Sequence, residues 1–247
     1  MELLYEGKAK EVFRTKNADE ILIKYKDSAT AFNGVKKENI EGKGRLNLMF
    51  ARHFFTLLEQ AGVKTHTVKY IDDLSLIAKR VEIVLLEVVI RNYAAGSICK
   101  REGYEKGFKF EQPLFEIFYK DDALNDPLIS EEYAIEKGIA TSDEIQKIKS
   151  EALKINEILS AYLLKNGVTL VDFKLEFGRL PNGKIILADE ISPDTCRFWK
   201  AGTMDSLDKD VFREDKGSLV ESYSRLAEIL GVRYASKTDA SGRVSQK

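Results

Sequence analysis

Three ionisable side chains alternate with apolar ones in residues 171–178. Because successive side chains of a strand point to opposite faces, a strand here sets Asp172, Lys174 and Glu176 on one face and an apolar row on the other. A row of carboxylate, ammonium and carboxylate groups can bind a metal ion and the phosphates that accompany it. A solvent-facing hairpin with cross-strand charge pairs gives the same pattern.

An Asn-Gly pair at 182–183 follows this segment and predicts a tight hairpin. Such a pair between apolar runs favours a two-residue type I′ turn, in which Pro181 faces Lys184. Counting back from that turn sets Glu176 directly opposite Asp189 on one face of the sheet. Two carboxylates so placed repel each other unless one is protonated or a cation lies between them. Mg²⁺ accepts one or two protein carboxylates, so the pattern predicts a magnesium site.

Two short segments contain glycine beside lysine. In residues 5–12, Lys8 and Lys10 follow Gly7 between two predicted strands. Their ammonium groups can cover a triphosphate, although an ordinary exposed hairpin explains the same residues. Residues 42–44, Gly-Lys-Gly, have two interpretations as well. They fit a helix start whose backbone binds an anion, or a flexible turn.

Arg91 and Ser97 lie on either side of a turn of small residues. A guanidinium fork and a hydroxyl can converge there on a phosphate monoester, whereas a surface arginine and a turn-capping serine are the alternative. The polar segment 120–127 contains acids that can orient an amine or simply be solvated. Arg197 follows the second hairpin strand, which brings its guanidinium near the predicted metal site.

Short strands and amphipathic helices position these motifs. Strands are predicted within 3–25, on both sides of Asp72-Asp73, over 83–91 and in a pair within 169–191. Helices are predicted over 43–61, over 141–166 with a capping box at its start, and over 218–230.

This order of elements predicts an α+β fold with two lobes. The predicted lobes are an N-terminal lobe over 1–80 and a larger lobe over 81–234. Residues 235–247 are polar and lack periodicity, so we expect them to form a disordered tail outside the fold.

Composition excludes several classes of protein. The 247 residues include 39 Lys and Arg against 40 Asp and Glu, which give a net charge of -1 and no global field to hold nucleic acid or an anionic membrane. The longest apolar stretch, 81–90, contains two glutamates and is about half as long as a transmembrane helix. The N-terminus has no signal-peptide pattern, so we expect a cytoplasmic protein.

Cysteine and histidine are too few to dominate the chemistry. Cys99 and Cys196 provide neither a disulfide framework nor a structural zinc site. His53 lies in a helical pattern and His66 at a strand start, so structural roles are expected for both. Carboxylates, lysines and arginines therefore remain as the groups that can carry catalysis.

Taken together, the motifs resemble the SAICAR synthetase (phosphoribosylaminoimidazole-succinocarboxamide synthase) family. The matching segments occur in the order and spacing of that family, and the resemblance extends over residues 3–232. These segments are 7–10, 89–97, 126–127, 170–178 and 189–199.

The resemblance implies a two-lobed α+β fold with antiparallel sheets and a nucleotide-binding lobe similar to that of protein kinases. It implies an ATP-dependent ligase that joins L-aspartate to the carboxylate of carboxyaminoimidazole ribonucleotide. The products are SAICAR, ADP and phosphate, in de novo purine biosynthesis. The implied cofactors are ATP and Mg²⁺, and the implied assembly is a homodimer that binds small molecules but neither nucleic acid nor membrane.

The resemblance also implies roles for individual residues. Lys8, Lys10 and Lys174 would bind the nucleotide, and Glu176 and Asp189 would hold Mg²⁺. The ribotide phosphate and its surroundings would be bound by Arg91, Ser97 and Arg197, and further substrate ligands would be Glu87 and Lys120. The implied catalytic residues are Lys174, Asp172 and Asp126.

The mechanistic hypothesis is an acyl phosphate on the imidazole carboxylate, which the aspartate amine attacks. Two alternatives remain open: a kinase-like small-molecule phosphotransferase and a non-catalytic nucleotide-binding module. Because the ligands are anions, five of these cations predict a cationic cleft whose charge is balanced by an acidic exterior. They are Lys8, Lys10, Arg91, Lys174 and Arg197.

Overall fold

A computed structural model describes residues 1–31 and 36–234 of the chain. The stretch 235–247, for which a disordered tail is predicted, lies outside the described residues. Among the helices of these two ranges, none combines the length and hydropathy that crossing a bilayer requires.

The described residues form strands and helices in mixed order. The strands are β1 (Leu3–Glu6), β2 (Lys10–Arg14), β3 (Glu20–Tyr25), β4 (Ser28–Ala31), β5 (Lys36–Asn39), β6 (Thr67–Tyr70), β7 (Ser75–Lys79), β8 (Glu82–Ile83), β9 (Leu86–Tyr93), β10 (Lys109–Tyr119), β11 (Leu128–Ile129), β12 (Val168–Arg179), β13 (Ile185–Ala188) and β14 (Cys196–Lys200). The helices are α1 (Lys43–Gln60), α2 (Ser97–Glu102), α3 (Glu131–Glu136), α4 (Ser142–Lys165), α5 (Asp210–Arg213) and α6 (Leu219–Leu230).

The first sheet is antiparallel and has the strand order β1-β2-β3-β7-β6. Its buried face consists of apolar side chains from β3 and β7, among them Ile23 and Leu76, and these pack with Leu48 and Ala51 of α1. The strands predicted within 3–25 and around Asp72-Asp73 are confirmed.

Helix α1 lies between this sheet and the main core. Its apolar stripe is wide enough to bury side chains on two sides, because Leu48 contacts the first sheet while Phe50, Phe54 and Leu58 belong to the large core. The helix is followed by Gly62 at a φ of 85°, a left-handed conformation that glycine adopts without strain. The helix predicted over 43–61 is confirmed.

The second sheet is organised around β12. It has the order β11-β10-β9-β12-β13, and both β14 and β8 also pair with β12. The apolar row predicted for this strand, Phe173, Leu175 and Phe177, is buried in the large core. The ionisable row, Asp172, Lys174 and Glu176, therefore lies on the opposite face of β12, whose neighbouring strands are β9 and β14.

The single strand predicted over 83–91 is divided into β8 and β9. The Leu86 amide donates to the Val84 carbonyl at 2.6 Å, and this tight turn interrupts the strand. As a result β8 pairs with the end of β12, at Gly178, while β9 pairs with its middle. Glycine is required at 178, since a Cβ there would lie 2.3 Å from Cγ2 of Val81.

The two long C-terminal helices begin where their caps predict. The amide of Thr141 donates to Glu144 Oε2 at 2.8 Å and the amide of Glu144 donates to Thr141 Oγ1 at 3.2 Å, which is a capping box. Arg179 Nε donates to Glu144 Oε1 at 2.5 Å and ties this helix start to the end of β12. Helix α6 begins after Ser218 and is followed by Gly231 in the left-handed conformation.

The predicted register of the β12–β13 hairpin is wrong by one residue. Glu176 pairs with Ala188 and not with Asp189. The loop has three residues, 181–183, and closes with Gly183 at a φ of 76°. Three-residue hairpins with a left-handed third residue are a common alternative to the two-residue type I′ turn. Asp189 therefore lies just beyond the end of β13, itself at a φ of 57°.

Candidate active site

An open cavity of about 330 Å³ lies between the β1–β2 loop and the second sheet. Cations outnumber anions among its lining side chains, and four of the five cations predicted for a cationic cleft are among them, whereas Lys10 is not. The cations are Lys8, Arg91, Lys174, Arg197, Lys209 and Arg213, and the anions are Glu87, Asp172 and Asp194. Three acids thus share the cleft with the cations.

Lys174 lies among three carboxylates on the floor of the cavity. Its Nζ donates to Glu176 Oε1 at 2.5 Å and to Glu87 Oε1 at 2.9 Å, and lies 4.0 Å from Asp189 Oδ2. Lys120 Nζ donates to the same Glu176 oxygen at 2.8 Å. Burial alone would lower the pKa of Lys174, but the surrounding carboxylates outweigh it and raise the pKa well above its usual value. The ammonium group is therefore fully charged at neutral pH.

Lys10 reaches Asp189 from the first sheet. Its Nζ lies 2.5 Å from Asp189 Oδ1 and 3.1 Å from Glu190 Oε1, and 5.0 Å from the centre of the Tyr25 ring. Asp189 is half-buried, and Lys10 and Lys174 hold its pKa well below the usual range against the opposing effect of desolvation. We call Lys10, Lys174, Glu176, Asp189 and Glu190 the lysine cluster.

Glu190 differs from its neighbour Asp189. Burial raises its pKa, and Lys10 opposes that effect only in part. Its Oε2 atom is buried and has no hydrogen-bond partner among the described residues. A buried acceptor without a donor costs free energy, so this part of the lysine cluster is electrostatically incomplete without a further cation.

The lysine cluster fits a magnesium ion that is shared with phosphates. Within residues 1–31 and 36–234, no group of three or more His, Cys, Asp and Glu residues could hold a metal by itself. Glu176 and Asp189 approach a common point, which Lys174 Nζ occupies. Mg²⁺ needs only one or two protein carboxylates when phosphate oxygens and water complete its octahedron. The revised register therefore still brings the two predicted ligands together.

Arg91 is held on the opposite side of the cavity by hydrogen bonds to three side chains. Its Nε donates to Glu116 Oε2 at 2.6 Å, its Nη1 to Asp172 Oδ2 at 2.8 Å and its Nη2 to Ser97 Oγ at 3.4 Å. The side chain is almost completely buried. The sequence predicted the proximity of Arg91 and Ser97 but missed Glu116, because nothing in the sequence marks β10 as the partner of β9.

Arg197 shares Asp172 with Arg91. Its Nη1 lies 3.1 and 2.9 Å from the two carboxylate oxygens of Asp172, and its Nε donates to Asp210 Oδ2 at 2.8 Å. These acids raise the pKa of Arg197 despite its burial, which acts to lower it. We call Arg91, Glu116, Asp172, Arg197 and Asp210 the arginine cluster.

The small-residue turn at 94–96, between β9 and α2, lies directly against the arginine cluster. A Cβ at Gly96 would lie 2.5 Å from Nη2 of Arg197, and the residue has a φ of 65°. Glycine is therefore needed because the backbone passes against a guanidinium. Ser97 begins α2 immediately after it.

Six predicted site residues lie at the rim of the cavity or outside its lining. Three of them, Lys10, Glu176 and Asp189, connect to the cavity through Lys174. Lys8 is exposed, and its Nζ donates to Asp122 at 2.6 Å at the cavity rim. Lys120 contacts Glu176 but does not line the cavity. Asp126 Oδ1 accepts from the Asp121 amide at 2.9 Å and stabilises a turn, away from the cavity lining.

A buried ionic network beneath the site was missed by sequence reasoning. Lys43, whose side chain is completely buried, lies 2.5 Å from Asp194 Oδ2. Tyr223 donates to Asp194 Oδ1 at 2.6 Å, and Lys209 Nζ lies 3.5 Å from Oδ2. These cations hold the pKa of Asp194 below its usual range against the effect of burial. The Gly-Lys-Gly start of α1 therefore presents a lysine to a carboxylate.

The cysteines and histidines have the environments expected of structural residues. Cys99 and Cys196 are both free thiols, and burial raises the pKa of Cys196. Burial also lowers the pKa of His53 and of His66 to about 4. Both imidazoles are thus neutral at physiological pH, and His53 Nε2 lies 2.7 Å from the Tyr162 hydroxyl.

The sequence pattern of the SAICAR synthetase family matches residues 3–230. The chain belongs to this family. A phosphoribosylaminoimidazole-succinocarboxamide synthase from Caldanaerobacter subterraneus is 55% identical over 222 residues, which cover 90% of this chain and 94% of that protein. SAICAR synthetases are ATP-dependent ligases of purine biosynthesis, and membership of the family makes this chain one of them.

Solved SAICAR synthetase structures have the same fold. The crystal structure of the synthase from Ehrlichia chaffeensis superposes with a TM-score of 0.92 at 42% identity, covering 95% of this chain and all of that one. A SAICAR synthetase in complex with ADP gives a TM-score of 0.90 at 49% identity and covers 94% of this chain and 99% of its own. The predicted SAICAR synthetase-like α+β fold with antiparallel sheets is confirmed, and the division into lobes over 1–80 and 81–234 stays a prediction.

Proposed function

We propose that the two clusters of the cavity divide the substrates of the ligase between them. The lysine cluster takes ATP and Mg²⁺, and the arginine cluster takes the phosphate of carboxyaminoimidazole ribonucleotide. The observation that carries this proposal is the position of Lys174. Its Nζ lies on the cavity floor between Glu87, Glu176 and Asp189, and its strand neighbour Asp172 holds both arginines.

Lysine side chains at one end of the cavity suit a triphosphate. Lys10 and Lys174 provide half-buried ammonium groups, and the exposed Lys8 adds a third at the rim. A relative of this chain binds ADP, which supports nucleotide binding by the same fold. Lysine is a compact point charge on a flexible stem, so its ammonium can move from a carboxylate to an arriving phosphate.

Glu176 and Asp189 would hold the magnesium ion at this end. When bound, the ion would neutralise negative charge on the transferring phosphoryl group. The same two carboxylates accept hydrogen bonds from Lys10, Lys120 and Lys174. Glu190 lies beside Lys10 in the same cluster, and its Oε2 atom has no hydrogen-bond partner among the described residues.

The arginine cluster is prepared for a phosphate monoester. Asp172 orients both guanidinium groups, Glu116 fixes Arg91 and Asp210 fixes Arg197. Both arginines and Ser97 line the cavity, and a planar guanidinium fork and a hydroxyl are donors that suit a phosphate. We therefore assign to Asp172 the positioning of the two arginines. A catalytic role for Asp126, which lies outside the cavity lining, stays a prediction from family resemblance.

The reaction then proceeds in two steps, phosphoryl transfer to the ribotide carboxylate and formation of the amide bond. A carboxylate oxygen of the ribotide attacks the γ-phosphorus of ATP, the bond to the β–γ bridging oxygen breaks, and ADP leaves. The amine of L-aspartate next attacks the acyl carbon, a C–N bond forms, the C–O bond to phosphate breaks, and one proton is released. Lys174 stabilises charge on the transferring group, and the arginine cluster keeps the imidazole carboxylate aligned.

A product assay with single omissions tests this function. We expect the succinocarboxamide, ADP and phosphate to form only when ATP, Mg²⁺, the carboxylated ribotide and L-aspartate are all present. The kinase-like alternative predicts a stable phosphorylated ribotide that accumulates as the end product, and that result would refute the ligase mechanism. The homodimer and the cytoplasmic location stay predictions.

Amide substitutions test the magnesium ligands. Glu176→Gln and Asp189→Asn keep the size of each side chain but remove its charge, so each variant should need about tenfold more Mg²⁺ for half-maximal activity. Glu82→Gln is the matched control, because Glu82 is an exposed glutamate of the same sheet. Unchanged Mg²⁺ dependence in both site variants would contradict the assignment.

A further inference from the structure

A second cavity, of about 270 Å³, lies at one end of the first sheet. It is lined by residues 14–18, 20, 21 and 80 together with Leu4, and none of these lines the candidate active site. We call it the sheet-end cavity. Lys10 stands at the start of β2 and Arg14 at its end, so about 13 Å of strand separates the lysine cluster from this cavity. The function proposed above uses none of its residues.

Three cations from three separate segments line the sheet-end cavity. Arg14 ends β2, Lys16 lies between β2 and β3, and Arg80 follows β7. Among the described residues, Glu20 is the one acid in the lining. Three cations and one acid leave an excess of two positive charges, and a concave surface concentrates the field of such an excess.

Two of these cations have no counter-ion in the described part of the chain. The side chains of Lys16 and Arg80 form no hydrogen bond and no ion pair with any described residue. Arg14 Nε lies 3.2 Å from Glu2 Oε2, and both of these side chains are more than half exposed. An exposed pair of this kind contributes little, because water screens it. The three cations are therefore free to bind an anion.

The backbone that presents the cations is held by hydrogen bonds. The Arg80 amide donates to the Asp19 carbonyl at 2.7 Å, which ties the end of β7 to the β2–β3 turn. Within that turn, the Glu20 amide donates to the Asn17 carbonyl at 3.1 Å and Thr15 Oγ1 donates to the Glu20 carbonyl at 3.0 Å. A ligand therefore has to order only the side chains, which limits the entropic cost of binding.

The lining suits a phosphate group that carries an organic part. A phosphate monoester has up to two negative charges and three acceptor oxygens, so it can accept from donors that approach from three segments. Leu4, Ala18 and Ile21 make the rest of the wall largely apolar. A free phosphate ion would leave most of the cavity empty, whereas the organic part of an ester can cover these side chains.

We propose that the sheet-end cavity is a second anion site, which binds the phosphate group of a small organic monoester through Arg14, Lys16 and Arg80. The site is separate from the one assigned to the ribotide phosphate, and the inference does not rest on the ligase function. Because the cations are exposed, the affinity should fall as salt is added. It should also fall below about pH 6, where a monoester takes up its second proton.

Titration of the full chain with ribose 5-phosphate, followed by NMR of the backbone amides, tests the site. This ester can also enter the ribotide site, so the titration is repeated with Arg197→Gln, in which that site is impaired. We expect the amides of residues 15–18 to shift with the same dissociation constant in both proteins. Arg80→Gln should weaken this binding about fivefold, the upper end of what one exposed ion pair contributes. The double variant Arg14→Gln/Arg80→Gln should weaken it more than about tenfold.

A charge-removing variant and a matched control separate binding from a structural effect. Glu20→Gln removes the one acid of the lining and should tighten binding about threefold, a gain that a loss of structure would not produce. Lys24→Met removes an exposed lysine of the same sheet outside the cavity and should leave the dissociation constant unchanged.

Three results would overturn the proposal. The first is an absence of shifts at residues 15–18, and the second is a shift that disappears with Arg197→Gln and therefore reports the ribotide site. The third is an equal affinity for inorganic phosphate, which would show that the cavity does not recognise an ester. The titration contains neither ATP nor L-aspartate, so its outcome is independent of the ligase assay.

Discussion

The lysine cluster and the arginine cluster use opposite strategies to hold cations in one cavity. Each guanidinium of the arginine cluster donates to at least two carboxylates along fixed directions, and one of those acids, Asp172, serves both. The ammonium groups of the lysine cluster lie among several carboxylates at 2.5–4.0 Å, and one acceptor, Glu190 Oε2, has no partner among the described residues.

This difference matches the ligands that we assign to each cluster. A planar guanidinium held by its acids forms a preorganised site, and such a site suits the phosphate of a substrate that must remain aligned during both steps. An ammonium is a point charge that can exchange one oxygen for another. The lysine cluster can therefore reorganise when Mg²⁺ and ATP arrive and again when ADP leaves.

The largest effect should follow from the loss of the central lysine. We expect Lys174→Met to lower kcat about 10²- to 10³-fold, the range found when a preorganised charge is removed from a transition state. The KM for the ribotide should change little, because the arginine cluster remains intact. Lys184→Met, at an exposed position of the β12–β13 loop, is the control. A loss of less than threefold would place Lys174 outside the chemistry.

A smaller effect should follow when geometry is altered but charge is kept. Arg197→Lys preserves the positive charge and removes the fork that contacts Asp172 and Asp210 together. We expect the KM for the ribotide to rise about tenfold with a nearly unchanged KM for ATP, since the two residues are not interchangeable at bidentate sites. The reverse exchange in the other cluster, Lys10→Arg, should raise the KM for ATP by less than Arg197→Lys raises the KM for the ribotide. Equal effects of the two exchanges on both substrates would remove the distinction between the clusters.

The smallest effect should be on stability and concerns the ion pair of Arg179 with Glu144, which lies outside the cavity. Arg179 holds the pKa of Glu144 at about 2, with the helix start contributing, so the folded state favours the ionised form. This stabilisation is present above the ordinary glutamate pKa and is lost as the pH falls toward 2. Glu144→Gln should lower the free energy of unfolding by up to about 1 kcal/mol at pH 7. Urea unfolding should show that the difference shrinks below about pH 4.5.

Two results would show whether this pair is purely structural. The exposed Glu157→Gln on the same helix should have no measurable effect on stability at either pH. Activity of Glu144→Gln at pH 7 should equal that of the wild type. A pH-independent loss of stability would mean that the cap, rather than the ion pair with Arg179, carries the contribution of Glu144.

Local patterns predicted the elements that carry the site. Alternation along β12 correctly separated Lys174 and Glu176 from the buried Phe173 and Leu175, because a strand has only two faces. The register of the following hairpin was predicted wrongly, since Asn-Gly fits both a two-residue turn and the last two positions of a three-residue loop. Asp189 still reaches the cluster because its left-handed backbone turns it toward Lys10.

Contacts between distant segments were beyond sequence reasoning. Lys43 and Asp194 form an ion pair across the core, and neither residue stands in a pattern that indicates the other. The same holds for Glu116, whose strand β10 was not predicted, and for Arg213, which lies in a short helix without periodicity. Such pairs depend on how sheets and helices pack, and one sequence contains no record of that packing.

The division between the two clusters is tested most directly by nucleotide binding alone. Calorimetric titration of ADP with Mg²⁺ should show an affinity at least about tenfold weaker for Lys10→Met than for the wild type, because a charge-assisted contact to phosphate is lost. Arg197→Gln should bind ADP within about twofold of the wild type, provided that both variants keep the wild-type circular dichroism. An equal loss in both variants, or a loss confined to Arg197→Gln, would contradict the assignment of ATP to the lysine cluster.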